Sequence, residues 1–134
     1  MKIPQEIQNI INNDKAFAFA TASKSSIPNV NMIGCKKIKD DETILIGDNY
    51  FYKTLTNLKE NPHASILTKK EEEKKWYQLK GSCQYVSEGP EYEEFKKWVK
   101  SRKKTLPAKG MVIFKVEQIY NTASGPDAGK PISQ

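Results

Sequence analysis

Two cysteines, a single histidine and a single arginine are all that the 134 residues contain of those three types. Cys35 and Cys83 lie far apart, with no CxxC pair and no histidine pattern around them. That excludes a zinc module and leaves no disulfide framework, so reduced thiols in a cytoplasmic protein are the expectation. No apolar run approaches the ~20 residues that a membrane helix needs. The first residues also lack the pattern of a secretory signal. Apolar residues are scarce too, at 37%, and an oligomer that shares apolar surface would ease that shortage. Acidic residues number 16 against 22 basic ones, a net charge of +6. Such a balance favours partners of negative charge: a phosphorylated small molecule, a nucleic acid or an anionic membrane surface.

What is present reads as strands punctuated by short helices. Ile3, Ile7, Ile10 and Ile11 recur at helical spacing, so residues 4–13 are expected as an amphipathic helix with Pro4 near its first turn. KAFAFATAS then alternates with period two, which makes it a strand. Phe17 and Phe19 point one way, and the opposite face of Ala16, Ala18, Ala20 and Ala22 must meet something that approaches closely. NVNMIGCKKI is read as one second strand, TILIG as a third and HASILTK as a fourth, with EEEKK as a hairpin tip. WYQLKGSCQYVS is the fifth, where Gly81 suggests a bulge or a close backbone approach. EGPEYEEFKKWVKSRKK is a helix with acids first and bases last, as its dipole favours, and GMVIFKVEQIY is the sixth strand. One domain over residues 1–134 is expected, with 120–134 an irregular tail. Six strands interrupted by two internal helices point to a small, mainly β, antiparallel barrel rather than a doubly wound sheet.

The second helix breaks a rule that the third obeys. In GDNYFYKTLTNLKENP, Lys53 occupies the first turn, where a positive charge opposes the macrodipole at a cost of roughly 0.3–1 kcal/mol when exposed. An anion seated between that ammonium and the free N–H groups of the turn would remove the conflict. Thr54 would add a hydroxyl donor, and Asn49 is placed to cap the helix or to reach the same oxygens. The plain alternative is a solvated lysine, and the two readings stand level. Asn29 and Asn31 share one face of the second strand and need partners, from a hydrogen-bonding ring or from water. Gly34 fits the close approach of a flat ligand or a simple bulge.

Three stretches together carry a family resemblance: FATASKSSIPNVNMIG, ILIGDNYFYKTLTNLKENPHASI and LKGSCQYVSEGPEYEEF. The chain is similar, over roughly residues 5–120, to the pyridoxamine 5′-phosphate oxidase-like superfamily of FMN-binding split barrels, and to its short single-domain members in particular. The middle stretch, with its strand–loop–KT–helix–NP order, is the most specific. The resemblance implies a six-stranded split barrel working as a homodimer, with FMN at the subunit interface. It implies that Lys53 and Thr54 bind the phosphate with Asp48 and Asn49 nearby, and that Asn31, Met32, Ile33 and Gly34 run along the isoalloxazine. Gly47 would let a strand pass close to the ring or ribityl chain. The Leu106–Pro107 loop of a partner subunit, or its tail, would close the site. Two departures stand out. The substrate-phosphate residues of the longer vitamin B6 oxidases have no match here, and the sole arginine, Arg102, lies in the third helix. Some relatives bind a deazaflavin or haem instead.

The remaining candidates divide between packing and function. Trp76 and Trp98 could stack on a flavin but suit a core or interface. Tyr50, Phe51 and Tyr52 could flank the flavin or meet a dimer partner. His63 reads as structural, the cysteines as small buried hydrophobes, and KSRKK at 100–104 as a helix end matched to its dipole. No metal site and no catalytic side chain is evident. The implied function is a flavin-dependent oxidoreductase or electron carrier with an unknown small-molecule or protein redox partner. A non-catalytic flavin-storage protein is the alternative. A nucleic-acid-binding barrel is remote, because the charge is concentrated on one helix and no aromatic-lined basic strand face exists.

Overall fold

The computed structural model describes residues 1–132; the last two residues of the expected tail lie outside the described part. Helix α1 (Gln5–Asn13) precedes strands β1 (Phe17–Ala22), β2 (Pro28–Ile33), β3 (Lys36–Asp40) and β4 (Thr43–Asp48). Helix α2 (Lys53–Glu60), β5 (His63–Lys70), a 3-10 turn (Glu71–Glu73), β6 (Lys75–Val86), α3 (Pro90–Arg102) and β7 (Gly110–Asn121) follow. The strands form one antiparallel sheet in the order β2-β1-β5-β6-β7-β4-β3.

The sheet has seven strands, not six. NVNMIGCKKI does not run through as one strand: it stops at Ile33 and resumes at Lys36. The two halves lie at opposite edges of the sheet. Three Cα–Cα steps join Ile33 to Lys36, a reach of at most about 11 Å. Edges that close together require the sheet to curl through most of a turn, which gives a half-barrel with a seam between β2 and β3.

Side-chain alternation fills the inside of this curl. Phe17 and Phe19 of β1 meet Ile44 and Ile46 of β4, Ile66 of β5, Leu79 of β6 and Phe114 of β7 in one core. Phe19 meets Phe114 edge-on, with ring centroids 6.4 Å apart. Ile3, just before α1, and Ile7 and Ile11 along its inner side join the same core. The end of α1 is held by Lys36, whose buried ammonium donates to the carbonyls of Ile11 (2.7 Å) and Asp14 (2.6 Å). A cation at a helix C-terminus matches its dipole and satisfies carbonyls left without helical partners. A second cluster lies outside the sheet, where Tyr92, Phe95 and Val99 of α3 cover Leu45 and Met111.

Gly81 meets both expectations for it. The β6–β7 register shifts between Lys80 and Gly81, and a Cβ there would lie 2.1 Å from the Lys115 carbonyl oxygen. The tail is less irregular than expected. β7 runs on to Asn121, and the chain then turns back, pairing Tyr120 with Pro131 and bonding Ile132 N–H to Ile119 O at 3.1 Å.

The alanine face of β1 is only half-buried among the described residues. Ala18 and Ala20 pair with Met32 and Val30 of β2 on the outer surface, and those two are 61% and 63% exposed. Leu67 of β5 lies beside Ala18 on the same face.

Candidate functional site

A cavity of about 600 Å³ opens at the seam of the half-barrel. Its walls come from three places: the β2–β3 corner, the stretch from Gly47 to the start of α2, and the end of α3 with Leu106. Of the nine residues expected at a cofactor site, eight line it: Asn31, Met32, Ile33, Gly34, Gly47, Asn49, Lys53 and Thr54.

Asp48 is the exception, and strand geometry gives the reason. The Asp48 side chain lies on the face of β4 away from Gly47, the face that carries Ile44 and Ile46 into the core. The Asp48 side chain is fully buried. Its carboxylate accepts from Phe51 N–H (2.9 Å) and from the Tyr85 hydroxyl (2.6 Å), with Lys109 Nζ at 3.9 Å. It anchors the loop that leads into α2 rather than meeting a ligand.

That loop sets the shape of the wall. Phe51 turns inward and stacks on Phe19 at 6.5 Å, so only Tyr50 and Tyr52, 75% and 85% exposed, remain at the surface. Of the two roles expected of Asn49, it does not take that of capping α2. Its Oδ1 accepts from Ala108 N–H at 3.0 Å, which ties the loop to the segment after α3. Tyr52 stands at the N-cap position and makes no side-chain cap, so the first N–H groups of α2 are not capped by it. The helix is fastened from beneath, with Leu58 in the core and Asn57 Nδ2 donating to Thr21 Oγ1 at 3.0 Å.

The paired asparagines have partners inside the chain. The Thr54 hydroxyl donates to Asn31 Oδ1 at 2.5 Å and accepts from Asn29 Nδ2 at 3.2 Å, while Asn29 Nδ2 also reaches Asn31 Oδ1 at 3.0 Å. Its one proton is therefore given to Asn31, and with Thr54 only 1% exposed the hydroxyl is a positioning group. The donors left at this end are the backbone N–H groups of the first turn and the Lys53 ammonium.

The two glycines at the cavity are accounted for by the chain as well. A Cβ on Gly47 would sit 2.6 Å from Cys35 Sγ, and one on Gly34 would sit 3.3 Å from the Lys15 carbonyl. The close neighbour of Gly47 is thus the Cys35 side chain. Burial raises the Cys35 thiol above its usual pKa, which keeps it protonated and unreactive at neutral pH.

Residues that the sequence reading left out of the site complete the wall. Arg102 and Lys103, read as a helix end matched to its dipole, line the cavity together with Lys15 and Leu106. Of that run, Lys100 donates to the carbonyls of Lys104 and Leu106, and Ser101 Oγ to that of Trp98. Leu106 lines the cavity of its own chain, so that contact needs no second copy. Their separation from Lys53 in sequence hid them, and only the fold brings α3 over the corner. Trp98 stacks near Phe95 (5.4 Å) outside the sheet, and His63 borders a different recess on the outer face with Ala20 and Ser65. A larger recess of about 730 Å³ beside α1 carries both signs of charge, and two of its acids are paired, Glu6 with Lys75 and Asp14 with Lys69.

The cavity fits an elongated ligand that has an anionic end. A helix start without a side-chain cap and a free ammonium stand at one side, Ile33, Phe51 and Leu106 offer apolar wall, and no acid lines it. Among the described residues no group of histidine, cysteine and carboxylate side chains could hold a metal ion. No described helix is long and apolar enough to cross a membrane.

Comparison with known proteins gives a consistent picture. The family described as pyridoxamine 5′-phosphate oxidase matches residues 3–123. An uncharacterised protein of Methanocaldococcus jannaschii is 38% identical over 136 aligned positions, spanning 100% of this chain and 90% of that protein. The crystal structure of HupZ from group A Streptococcus superposes with a TM-score of 0.82 at 31% identity, covering 95% of this chain and 99% of HupZ. An FMN-binding protein from Syntrophomonas wolfei shares the fold at 22% identity, with a TM-score of 0.76 and coverage of 88% and 84%.

Proposed function

Because the chain belongs to the pyridoxamine 5′-phosphate oxidase family, we propose that the seam cavity binds FMN and that the protein is a flavin-dependent oxidoreductase or electron carrier. The observation that carries this reading is the start of α2. Its N–H groups lack a side-chain cap, its first residue is a lysine without a carboxylate partner among the described residues, and both open on a cavity with no acid. A phosphate dianion satisfies those N–H groups and reverses the sign of the Lys53 conflict with the helix dipole.

In this reading Lys53 and the backbone N–H groups of residues 53 and 54 hold the phosphate. The Thr54 hydroxyl and the Asn29–Asn31 pair keep the helix start and β2 in register. The corner residues Asn31 to Gly34 form the wall along which the ring lies, with Gly47 beside Cys35 at its end and Asn49 in the loop that follows. Bound FMN supplies the redox chemistry, and the protein supplies orientation, access and charge. Cys35, its thiol held neutral by burial, contributes shape rather than nucleophilicity.

The outer face of β1 and β2 completes the proposal. Val30, Met32 and the alanines form an exposed apolar strip too small-featured to resist close packing, and a second copy is its occupant in a homodimer with the flavin sites at the interface. Burial of such side chains contributes about 25 cal/mol per Å² removed from water. Haem, held by some members of the family in place of flavin, finds less support: the one histidine in the sequence, His63, lies outside this cavity.

The test is direct. Protein purified with FMN, or reconstituted with it, is expected to show flavin absorbance bands at one flavin per chain. Lys53→Ala removes a charged hydrogen bond worth about 1.5–3 kcal/mol, so affinity falls on the order of 10- to 100-fold with the fold retained. Wild-type affinity in that variant would refute the phosphate assignment. A flavin-storage role is distinguished by bound flavin that a nicotinamide donor reduces no faster than free FMN.

A further inference from the structure

The charge of the chain is unevenly placed. From Phe95 to Val116 there are eight basic residues and no acidic one. That exceeds the net charge of +6 for the whole chain, so the remainder is slightly acidic. The helix dipole accounts for only part of this concentration. Its effect fades beyond the last turn, and Lys100 already donates to the carbonyls of Lys104 and Leu106. Lys96 and Lys97 lie before the last turn of α3. Lys37, which reaches the same surface, belongs to β3 and not to the helix at all.

Trp98 is the centre of this surface. It is half-buried, with its ring 5.4 Å from that of Phe95, and both Lys37 Nζ and the Arg102 guanidinium lie 5.0 Å from its centroid. Lys97, next to Trp98 in the chain, and Lys104, two residues beyond Arg102, are exposed. Among the described residues none of these four cations forms an ion pair, whereas Lys39, two residues along β3 from Lys37, pairs with Glu91 at 2.7 Å. Strand β3 and helix α3 thus neutralise each other at the acidic start of the helix and gather like charge around one ring at its end. Carboxylates set against Trp98 would relieve that repulsion, and tryptophan and arginine are the residues that most often anchor protein interfaces.

We propose that Lys37, Lys97, Trp98, Arg102 and Lys104 form a docking surface for the acidic face of another protein. Other occupants fit it less well. A second copy of the chain in a two-fold dimer would set this surface against itself, like charge on like. A nucleic acid or an anionic membrane asks for a longer basic track, which Glu93 and Glu94 interrupt on the same helix, and one tryptophan is no platform for successive bases. A folded protein can carry its carboxylates opposite the basic half alone. Arg102 also donates to the Gly34 carbonyl at the seam cavity, so a protein docked here stands at the edge of that cavity. The surface rests on charge and geometry and does not depend on what the cavity binds.

Titration with a decaglutamate peptide at low salt, followed by tryptophan emission, tests this. One peptide per chain is expected to bind and to shift the emission. Trp98→Phe, which leaves Trp76 as the sole tryptophan, should lose the shift. Lys97→Glu/Lys104→Glu should weaken binding on the order of 10-fold. Lys97→Gln/Lys104→Gln gives a smaller loss and serves if the reversed variant does not fold. Lys24→Glu/Lys74→Glu makes the same change in net charge at exposed positions elsewhere and should leave the affinity unchanged. Equal losses in the two charge-reversed variants, or no binding to the wild type, would overturn the proposal. So would duplex DNA or phosphatidylserine vesicles that bind through Lys97 and Lys104 more tightly than the peptide does. Flavin content in Lys97→Glu/Lys104→Glu should equal that of the wild type, and peptide binding by a chain that takes up no FMN would still support the surface while the flavin assignment fails alone.

Discussion

Replacing Tyr85 by phenylalanine removes one oxygen atom from beneath the loop that walls the cavity. In the native chain that hydroxyl donates to Asp48 Oδ2 at 2.6 Å. Phe51 N–H and Lys109 both face Oδ1 instead, so the substitution leaves Oδ2 of a fully buried carboxylate with no protein donor among the described residues. Hydrogen bonds to charged groups contribute about 1.5–3 kcal/mol. Tyr85 is only half-buried, so water can replace part of the bond, and about 1.5 kcal/mol is the expected loss. The phenyl ring keeps its packing against Gly110, where a Cβ would lie 2.3 Å from the ring carbon that bears the hydroxyl. With a urea dependence of about 1–3 kcal/mol per molar, the unfolding midpoint should fall by roughly 0.5–1.5 M. A pH series supplies the control. Burial first, and the bond to Asp48 second, raise the Tyr85 pKa above its ordinary 10.0. A raised folded-state pKa gives stability that is complete below pH 10 and is lost as pH climbs above it. The gap between wild type and Tyr85→Phe should therefore narrow in alkali. An unchanged urea midpoint, or a gap that widens above pH 10, would refute the account of Asp48 as the loop's anchor.

Gly81→Ala sets a Cβ 2.1 Å from the Lys115 carbonyl oxygen and 2.9 Å from the Phe114 ring; overpacking against backbone costs about 1–3 kcal/mol or more, and a melting temperature equal to wild type would contradict it. Cys83 has a thiol pKa pushed up to about 12 by burial and, secondarily, by Glu117. Below pH 9 its contribution is complete, and above it stability should fall by up to about 1.4 kcal/mol per pH unit until pH 12, a slope that Cys83→Ser should lessen in alkaline unfolding curves. The same protection should make iodoacetamide labelling of native Cys83 far slower than labelling of the unfolded chain. Met32→Lys places a charge in the middle of the exposed apolar strip and should shift sedimentation from dimer to monomer; a wild type that is already monomeric at micromolar concentration would remove the dimer proposal.

The parts legible in the sequence were those decided by local pattern. Phe17 and Phe19 alternate with alanines, and β1 follows; Pro90 with acids after it marks the start of α3, and Gly81 marks its bulge. The strand split at Gly34 was not legible, because nothing within NVNMIGCKKI says that its halves belong to opposite edges of a sheet. That is decided by which strands pair, a matter of contacts between distant residues. Asp48 is a different kind of miss. The period-two rule applied to TILIGD puts Ile44, Ile46 and Asp48 on one face and Leu45 and Gly47 on the other, so the sequence held enough to separate Gly47 from Asp48. Arg102 was hidden for a third reason. Its place at a helix C-terminus already had a sufficient local explanation in the dipole, and only the tertiary path of α3 brings it to Gly34.

The position of the cavity follows from the strand order more than from any residue in it. With β2 and β3 consecutive in the chain but at opposite edges, the sheet cannot close its own hydrogen-bonding ladder at that seam. Each edge strand has one side without a strand partner, a row of donors and acceptors that must be covered or wetted. The loop before α2 and the segment after α3 cover the seam from the β4 side, joined to each other through Asn49 and Ala108. They cover it with aromatic and cationic side chains rather than with a strand. A polar backbone edge, an uncapped helix start and unpaired cations are thus brought to one place by a single topological fact. An anionic, partly aromatic ligand supplies what the missing strand pairing would have supplied, which is why this seam, and not the larger recess beside α1, where Glu71 and Glu72 add negative charge, is where binding should be sought.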